Sequence, residues 1–217
     1  MRIAVLGTGM VGRTIAGRAA ELGHEVVVGT RDVTATRAGD WSDWAASHPQ
    51  VGLAGYAEAT ADAELVVNAT SGDGSLSALT AAGGENLAGK VLLDIANPLD
   101  FSKGFPPTLS VVNDDSLGER IQRAFPRTRV VKALNTLTAD LMAYPRQLAD
   151  GDHSVFVSGD DAEAKKVVTE LLSSFGHTDV IDLGDITTAR GTEMLLPVWL
   201  RLYGRLGTAA FNFKIVR

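Results

Sequence analysis

The sequence predicts an α/β protein built on a doubly wound, mostly parallel sheet. Short apolar runs rich in valine, isoleucine and leucine alternate with segments of helical periodicity, a pattern typical of parallel sheets with helices on both faces. The first run leads directly into the glycine-rich stretch 7–12, followed by a helical segment and a second apolar run. This strand, G-x-G-x-x-G, helix, strand order is typical of the Rossmann dinucleotide-binding fold.

The composition favours one globular unit of ordinary size and excludes several chemistries. The chain has 217 residues, 45% of them hydrophobic, a formal net charge of −6 and no cysteine. The missing cysteines exclude disulfides, thiol catalysis and iron–sulfur clusters. Lysine and arginine are scattered, which argues against nucleic acid as a partner. The four histidines are far apart and lack metal-ligand spacing, so no metal site is predicted.

The N-terminal segment begins in a strand and leaves no room for a signal peptide. No apolar run reaches the roughly eighteen residues that a membrane span needs. We therefore expect a cytoplasmic protein with no membrane partner.

The first unit consists of a strand over residues 2–6, a helix over 14–22 and a strand over 25–28. Between the first strand and the helix, Gly7 permits a tight turn, Gly9 allows the backbone to approach a diphosphate, and Gly12 allows the helix to pack closely on the sheet. The diphosphate is expected at the helix N-terminus, where free N–H groups and the helix dipole favour negative charge. A glycine-rich turn without a ligand is the alternative.

The end of the second strand predicts which dinucleotide binds. NAD sites usually carry an acidic residue there for the ribose 2′-hydroxyl, and we place that position at Gly29. The following Thr30 and Arg31 suit a 2′-phosphate, because guanidinium binds phosphate through a planar fork of donors, and Arg37 adds positive charge. These residues favour NADP(H), although Asp32 could instead accept the ribose hydroxyl of NAD.

The remaining elements of a domain over residues 1–150 follow in order. We predict helices over 33–48, 56–63, 75–82 and 114–125, strands over 51–56, 64–68, 91–95 and 129–134, and a loop over 101–113 that covers the site.

Polar loops follow three of these strands. Ligands of doubly wound sheets bind outside the carboxyl ends of the strands, so these loops are candidates for the adenosine and nicotinamide ends of the cofactor. Turns that only cap the next helix are the alternative. The predicted contacts at the adenosine end are Asn68, Ala69 and Thr70, and those at the nicotinamide end are Ala96, Asn97, Pro98, Asn135, Leu137 and Ala139.

Residues 151–217 are predicted to form a small α/β C-terminal domain. It comprises a strand over 154–158, a helix capped by Asp160 and stopped at Gly176, a strand over 178–183 and an apolar helical tail over 189–213. Because apolar residues cover more than one face of the tail, we expect a second subunit to bury it in a homodimer.

The sequence contains no other motif that carries chemistry, and no catalytic residue is predicted. In hydride transfer the nicotinamide carries the chemistry while the protein supplies position and electrostatics. The residues therefore favour an NADP-dependent oxidoreductase, with a non-catalytic module that senses NADP(H) as the alternative.

Three stretches resemble the F420-dependent NADP oxidoreductase family. They are GTGMVGRTIAGRAAELGHEVVVGTRD (7–32), RVVKALNT (129–136), and VFVSGDDAEAKKVVTELLSSFG (155–176) continuing through DLGDITTARGTEMLLP (182–197). Together they extend over nearly the full chain.

The resemblance implies hydride transfer between C4 of NADP(H) and C5 of a deazaflavin, coenzyme F420, in a dimeric protein. It implies that Thr8, Gly9, Met10 and Val11 hold the diphosphate and that Thr30 and Arg31 hold the 2′-phosphate. Ala96, Asn97, Leu137 and Ala139 fall at the nicotinamide and deazaflavin end. The chain departs from family members at Asn135 and Thr138, where they carry histidine and proline. Because related Rossmann domains pass electrons to flavin and on to ferric or cupric ions, a flavin or metal acceptor stays open.

Overall fold

The computed structural model describes all residues from Met1 to Arg217. The strands are β1 (Arg2–Leu6), β2 (Glu25–Thr30), β3 (Gly52–Gly55), β4 (Leu65–Asn68), β5 (Val91–Asp94), β6 (Leu99–Asp100), β7 (Thr108–Leu109), β8 (Arg129–Ala133), β9 (Ser154–Ser158) and β10 (Asp179–Asp182). The helices are α1 (Met10–Glu21), α2 (Val33–Ala38), α3 (Trp41–Ala46), α4 (Tyr56–Ala61), α5 (Gly72–Ala82), α6 (Gly84–Leu87), α7 (Leu117–Ala124), α8 (Ala139–Ala143), α9 (Ala162–Phe175), α10 (Ala189–Met194) and α11 (Leu196–Leu206). No helix has both the length and the apolar character needed to cross a membrane.

Eight strands form one sheet in the order β10-β9-β8-β5-β4-β1-β2-β3. From β8 to β3 every neighbouring pair is parallel, and β9 runs antiparallel to β8. The predicted doubly wound, mostly parallel sheet is therefore confirmed. After β3 the chain returns to the other side of β1, so the carboxyl ends of β1 and β4 flank the point where the strand order reverses. Ligands of such folds bind in the crevice at this point.

The strands predicted for the C-terminal domain extend the same sheet, because β9 pairs with β8 and β10 pairs with β9. The boundary near residue 150 does not separate two sheets, and the division into two domains stays a prediction.

The core lies on both faces of the sheet because successive side chains of a strand point to opposite sides. In β1, Ile3 and Val5 pack in the cluster that includes α1 and α9, whereas Ala4 and Leu6 pack in the cluster that includes α5 and α7. Buried on both faces, the central strands appear in the sequence as continuous apolar runs.

Several element boundaries differ from the predictions. Helix α1 begins at Met10, four residues early, so its N-terminus opens directly after Gly9. The helix predicted over 33–48 is two helices, because the chain leaves helical geometry at Gly39. The loop predicted over 101–113 contains β7, which pairs with β6 in a small hairpin.

The C-terminal segment also differs from its predicted outline. The cap of α9 is Asp161, whose carboxylate accepts from Ala164 N at 2.8 Å, while Asp160 accepts from Ile186 N at 3.0 Å. The apolar tail is helical only to Leu206, because Gly207 adopts a left-handed conformation with φ 68° and ends the helix.

Candidate functional site

The glycine-rich turn between β1 and α1 has the geometry that its spacing predicts. Gly7 has φ +121°, and a Cβ on it would lie 2.6 Å from the carbonyl oxygen of Ala69. A Cβ on Gly12 would lie 2.0 Å from the carbonyl oxygen of Gly7. A Cβ on Gly9 would meet no protein atom within 4 Å. Gly7 and Gly12 are therefore required by the fold, whereas the surface at Gly9 is open to a ligand.

The N-terminus of α1 faces this open surface without a protein acceptor. Gly9 occupies the N-cap, no side chain caps the helix, and its first turn holds no acidic residue. The free N–H groups and the positive end of the helix dipole favour an anion here. Thr8 and Gly9 line the adjoining cavity, and Met10 is largely exposed.

Two adjoining cavities form a cleft over the carboxyl ends of the strands. The first, of about 400 Å³, is lined on its far side by Arg31 and Tyr56. The second, of about 290 Å³, is mostly apolar. Ala69, Thr70 and Ser71 line both cavities, which makes the cleft continuous. It thus joins a polar end with a guanidinium to an apolar end.

At the polar end, Arg31 is exposed and makes neither a hydrogen bond nor an ion pair. The Thr30 hydroxyl lies 2.8 Å from that of Thr36. Asp32 caps α2 by accepting from Ala35 N at 2.9 Å, so its carboxylate already has a structural partner. This geometry weakens the alternative in which Asp32 binds a ribose hydroxyl of NAD.

The structure corrects the role given to Gly29. A Cβ there would point toward Leu6 Cδ2 at 2.7 Å and Tyr56 Cδ1 at 3.1 Å, into the layer beneath the cleft. An acidic side chain at this position would displace Tyr56 instead of reaching a ribose. Burial raises the pKa of the Tyr56 phenol, and the nearby Arg31 guanidinium opposes that rise.

At the apolar end, two asparagines join the loops that follow β5 and β8. Asn97 Nδ2 donates to the carbonyl oxygen of Asn135 at 2.8 Å, and Asn135 Nδ2 donates to Asn97 Oδ1 at 3.0 Å. Leu134, which precedes Asn135 in the chain, has φ 62° although it is not a glycine. Such a conformation costs on the order of 1–3 kcal/mol and persists only where the surroundings enforce it.

Not every predicted residue lines the cleft. Asn68 has no exposed surface, and its amide donates to Ser75 Oγ and Asp94 Oδ1, so its side chain lies beneath the cleft and is held by protein groups. Ala96, Asn135 and Ala139 are also buried, and they do not line the cavities. The predicted residues that line the cleft are Gly7, Thr8, Gly9, Val11, Arg31, Ala69, Thr70, Asn97 and Leu137, whereas Gly12, Thr30, Asn68, Ala96, Pro98, Asn135 and Ala139 lie behind it.

Part of the lining lies outside the residues predicted from the sequence. At the polar end this part comprises Tyr56, Ser71, Gly74, Ser77, Ala78 and Ala81, and at the apolar end it includes Ile95, Leu99, Phe101 and Met142. Tyr56 directly follows β3, so the rule that ligands bind at carboxyl ends of strands could have identified it.

Comparison with known proteins identifies the family. Residues 2–98 match the family described as NADP oxidoreductase, coenzyme F420-dependent. The F420-dependent NADP reductase of Methanothermobacter marburgensis is 30% identical over 209 residues, which cover 93% of this chain and 92% of that protein.

Two further similarities extend over most of the chain. The metalloreductase STEAP3 of Rattus norvegicus is 31% identical over 91% of this chain, which spans only 38% of that protein's length. A crystal structure from Arthrobacter sp. FB24, described as that of a candidate F420-dependent NADP-reductase, is 68% identical, with full coverage of both chains and a TM-score of 0.98. The chain therefore belongs to the F420-dependent NADP reductase family.

Proposed function

We propose that the protein transfers a hydride between NADP(H) and a deazaflavin of the coenzyme F420 type, or a flavin with a similar tricyclic ring. The continuous cleft carries this proposal, because a polar cavity with an unpartnered guanidinium adjoins a mostly apolar one. This arrangement suits a dinucleotide that extends from an anionic end to a flat ring, with a second ring beside it.

The polar half of the cleft fits NADP(H) in charge and in shape. Open space above Gly9 and the uncapped N-terminus of α1 suit the diphosphate, which Thr8, Gly9, Met10 and Val11 would hold. The free guanidinium of Arg31 suits the 2′-phosphate. The preceding Thr30 lies behind the cleft, where its hydroxyl pairs with that of Thr36.

The apolar half suits a planar acceptor. Leu137, Met142 and Phe101 line it together with other apolar side chains, and Asp73 is its one charged lining residue. When bound, the nicotinamide C4 and the deazaflavin C5 supply the two positions between which the hydride moves. The chain itself contributes walls that exclude water and hold the rings together, which raises the rate by orienting the reactants.

Asn135, one of the two departures from family members, supports this acceptor site indirectly. Its side chain is 3% exposed and bonds to Asn97 and to the carbonyl oxygen of Thr192. Asn135 therefore fixes the loop that carries Leu137, and a different residue here changes the support of the cavity instead of its lining.

A metal or flavin reductase is the second candidate. The similarity to a metalloreductase over 91% of the chain favours it. In that case the apolar half would hold a flavin that passes electrons to a ferric ion. A module that only senses NADP(H) would bind the dinucleotide without any turnover.

The acceptor can be identified by following NADPH absorbance at 340 nm with coenzyme F420, FMN, FAD and ferric citrate, each with and without the protein. We expect the fastest enzymatic oxidation with coenzyme F420. Faster turnover with FMN or FAD would identify a flavin as the acceptor within the first proposal, whereas reduction of ferric citrate that requires added FMN or FAD would favour the second candidate. Tight NADPH binding without turnover of any acceptor would contradict the enzyme proposal and favour the sensing module.

We also propose that the protein is a homodimer that buries the C-terminal helices. Several large apolar side chains of α10 and α11 are exposed in the single chain. They are Met194 (37%), Val198 (51%), Tyr203 (40%) and Leu206 (55%). A second copy of the chain, by covering them, would remove apolar surface from water.

A further inference from the structure

A buried ion cluster lies behind the loop shared by the two cavities. Lys132 Nζ lies 2.8 Å from Asp94 Oδ2 and 2.8 Å from Glu193 Oε1, and it donates to the carbonyl oxygen of Ala96 at 2.5 Å. All three charged side chains are 1% exposed or less. Burial lowers the pKa of Lys132, but the two carboxylates outweigh it and hold that pKa above its ordinary value.

Every polar atom of this cluster has a partner, so its hydrogen-bond directions are fixed. Glu193 accepts from the backbone N–H groups of Leu117 and Gly118 at the start of α7, at 2.8 and 3.1 Å. The other carboxylate oxygen of Asp94, Oδ1, accepts from Asn68 Nδ2 at 2.8 Å. An ionised carboxylate only accepts hydrogen bonds. The amide of Asn68 must therefore turn its nitrogen toward Asp94 and its oxygen toward the cleft loop.

The orientation of Asn68 determines that of Thr70. Asn68 Oδ1 has no hydrogen to give, so the Thr70 hydroxyl donates to it, at 2.7 Å. Ser75 Oγ lies 3.0 Å from Thr70 Oγ1 and donates its own hydrogen to the carbonyl oxygen of Ser71. The single hydrogen of Thr70 is thus committed, and toward the cleft its hydroxyl offers only lone pairs.

Thr70 lines both cavities, at the junction where the middle of a bound dinucleotide would lie. A hydroxyl that offers only lone pairs binds a hydrogen-bond donor and repels the oxygens of a phosphate. Next to the diphosphate of NADP(H), such donors are the 3′-hydroxyl of the adenosine-side ribose and the two hydroxyls of the nicotinamide-side ribose. The nicotinamide-side ribose would lie toward the apolar cavity, which Thr70 also lines.

We infer that Thr70 determines the position of the cofactor by accepting a hydrogen bond from a hydroxyl of the nicotinamide-side ribose, and that the Asn68–Asp94–Lys132–Glu193 cluster fixes its orientation. The inference rests on the proposed function, since it requires NADP(H) in the cleft. Thr70 would touch the ligand, while Asn68 and the ion cluster are positioning residues that act through Thr70.

The test compares three ligands of increasing length on the full chain by calorimetry: 2′-phospho-ADP, 2′-phospho-ADP-ribose and NADPH. We expect Thr70→Val to bind 2′-phospho-ADP like the wild type and to bind the two ribose-containing ligands about three- to tenfold more weakly, as for one lost hydrogen bond. Thr70→Ser keeps the hydroxyl and should restore most of the affinity.

The position of Asn68 is tested by Asn68→Leu, which frees the Thr70 hydroxyl to rotate. The same ribose-dependent loss is expected, with no further loss in the double variant with Thr70→Val. If Asn68→Leu does not fold, Asn68→Ser, a smaller polar residue that also removes the acceptor of the Thr70 hydrogen, replaces it, while the Thr70 variants decide the ribose contact.

Other outcomes overturn the inference in distinguishable ways. A loss that already appears with 2′-phospho-ADP would mean that Thr70 contacts the diphosphate or the adenosine-side ribose, and unchanged affinities would mean that it contacts none of these groups. If the wild-type protein binds none of the three ligands, the proposed function fails as well.

Discussion

No contact within the protein requires the residue at position 9 of the cleft to be glycine. The backbone of Gly9 has φ −73° and ψ −179°, which any residue can adopt, and its missing side chain faces open space. Gly7 and Gly12, in contrast, lie against backbone atoms. The three glycines of one motif thus divide between folding and binding.

This division predicts different results for two alanine substitutions. Gly9→Ala should leave the melting temperature unchanged or slightly raised, because alanine fits and reduces the entropy of the unfolded chain, while NADPH binding weakens. Gly12→Ala should destabilise the fold, because its Cβ would overlap the Gly7 carbonyl. Thermal melts with and without NADPH would separate the effects. A loss of stability in Gly9→Ala would contradict this reading.

Arg31→Ala should weaken NADP(H) binding by roughly 1.5–3 kcal/mol, the cost of a lost hydrogen bond to a charged group, and leave NAD(H) binding nearly unchanged. Calorimetry with both dinucleotides measures the difference. Arg205→Ala removes another exposed arginine, which lies in α11 and does not line the cleft, and it serves as the matched control. Equal losses for both dinucleotides would mean that Arg31 does not bind the 2′-phosphate.

Because His177 is buried, we expect the folded protein to lose stability in acid. Burial lowers the pKa of His177 to about 4, against an ordinary value of 6.5. The unfolded chain therefore takes up a proton before the folded one does. The stabilisation is present above pH 6.5 and is lost as the pH falls toward 4, by about 3 kcal/mol at most.

Urea unfolding of the wild type and His177→Gln at pH 7 and pH 4.5 tests this, because glutamine can still donate to the Met142 carbonyl that His177 Nε2 contacts. The variant should lose less stability between the two pH values. An equal loss in both proteins would exclude His177 as the cause.

Residues of the cleft were predictable from sequence where backbone geometry dictates the residue type, as at Gly7 and Gly12. They were not predictable where only the direction of a side chain decides whether the residue lines the cleft or lies beneath it. Asn68 and Thr70 are both polar residues at the end of a strand, yet one lies beneath the cleft and the other lines it. That difference depends on partners such as Asp94, which is 26 positions from Asn68 in the chain.

At the scale of elements, the capping of α9 distinguishes two neighbouring aspartates. Asp161→Ala should cost about 1 kcal/mol of stability, because it leaves Ala164 N without its acceptor. Asp161→Asn retains an oxygen for that bond and should lose much less. Chemical denaturation measures both variants. A similar loss in both would indicate that the charge of Asp161 matters more than its capping bond.

The strands were predictable to within a residue or two, because strands buried on both faces appear as short apolar runs. Helix ends were less predictable. In the sequence, Asp160 and Asp161 suit the cap of α9 equally well. The backbone N–H of Ile186, a residue distant in the chain, donates to Asp160 and so leaves the capping role to Asp161. The tail beyond Leu206 was predicted as helix because its apolar residues continue, but Gly207 ends the helix first.

At the scale of the whole molecule, the proposed dimer gives a direct test. Val198→Asp places a charge among the exposed apolar residues of α11 and should yield a monomer in sedimentation experiments. Leu183→Asp alters another exposed apolar residue, just after β10, and should leave the dimer intact. A wild-type protein that sediments as a monomer would contradict the dimer proposal.

The fold class was predictable from the alternation of strands and helices, but the arrangement of the C-terminal strands was not. A strand pattern such as residues 154–158 shows that a strand forms, and it does not show which edge it joins. Here β9 joins β8, so the C-terminal strands extend the same eight-stranded sheet.

The junction between β8 and β9 has a consequence for how the molecule opens. These strands pair at only two positions, Lys132 with Ser158 and Ala133 with Val157, whereas β1 and β2 pair along five. Glu193 holds Lys132 from across that junction. Local opening of the last third of the chain would separate Glu193 from Lys132, and the amides of Leu117 and Gly118 would lose their acceptor in the same event. Hydrogen exchange at the start of α7 should therefore report the opening of a segment more than 70 residues further along the chain.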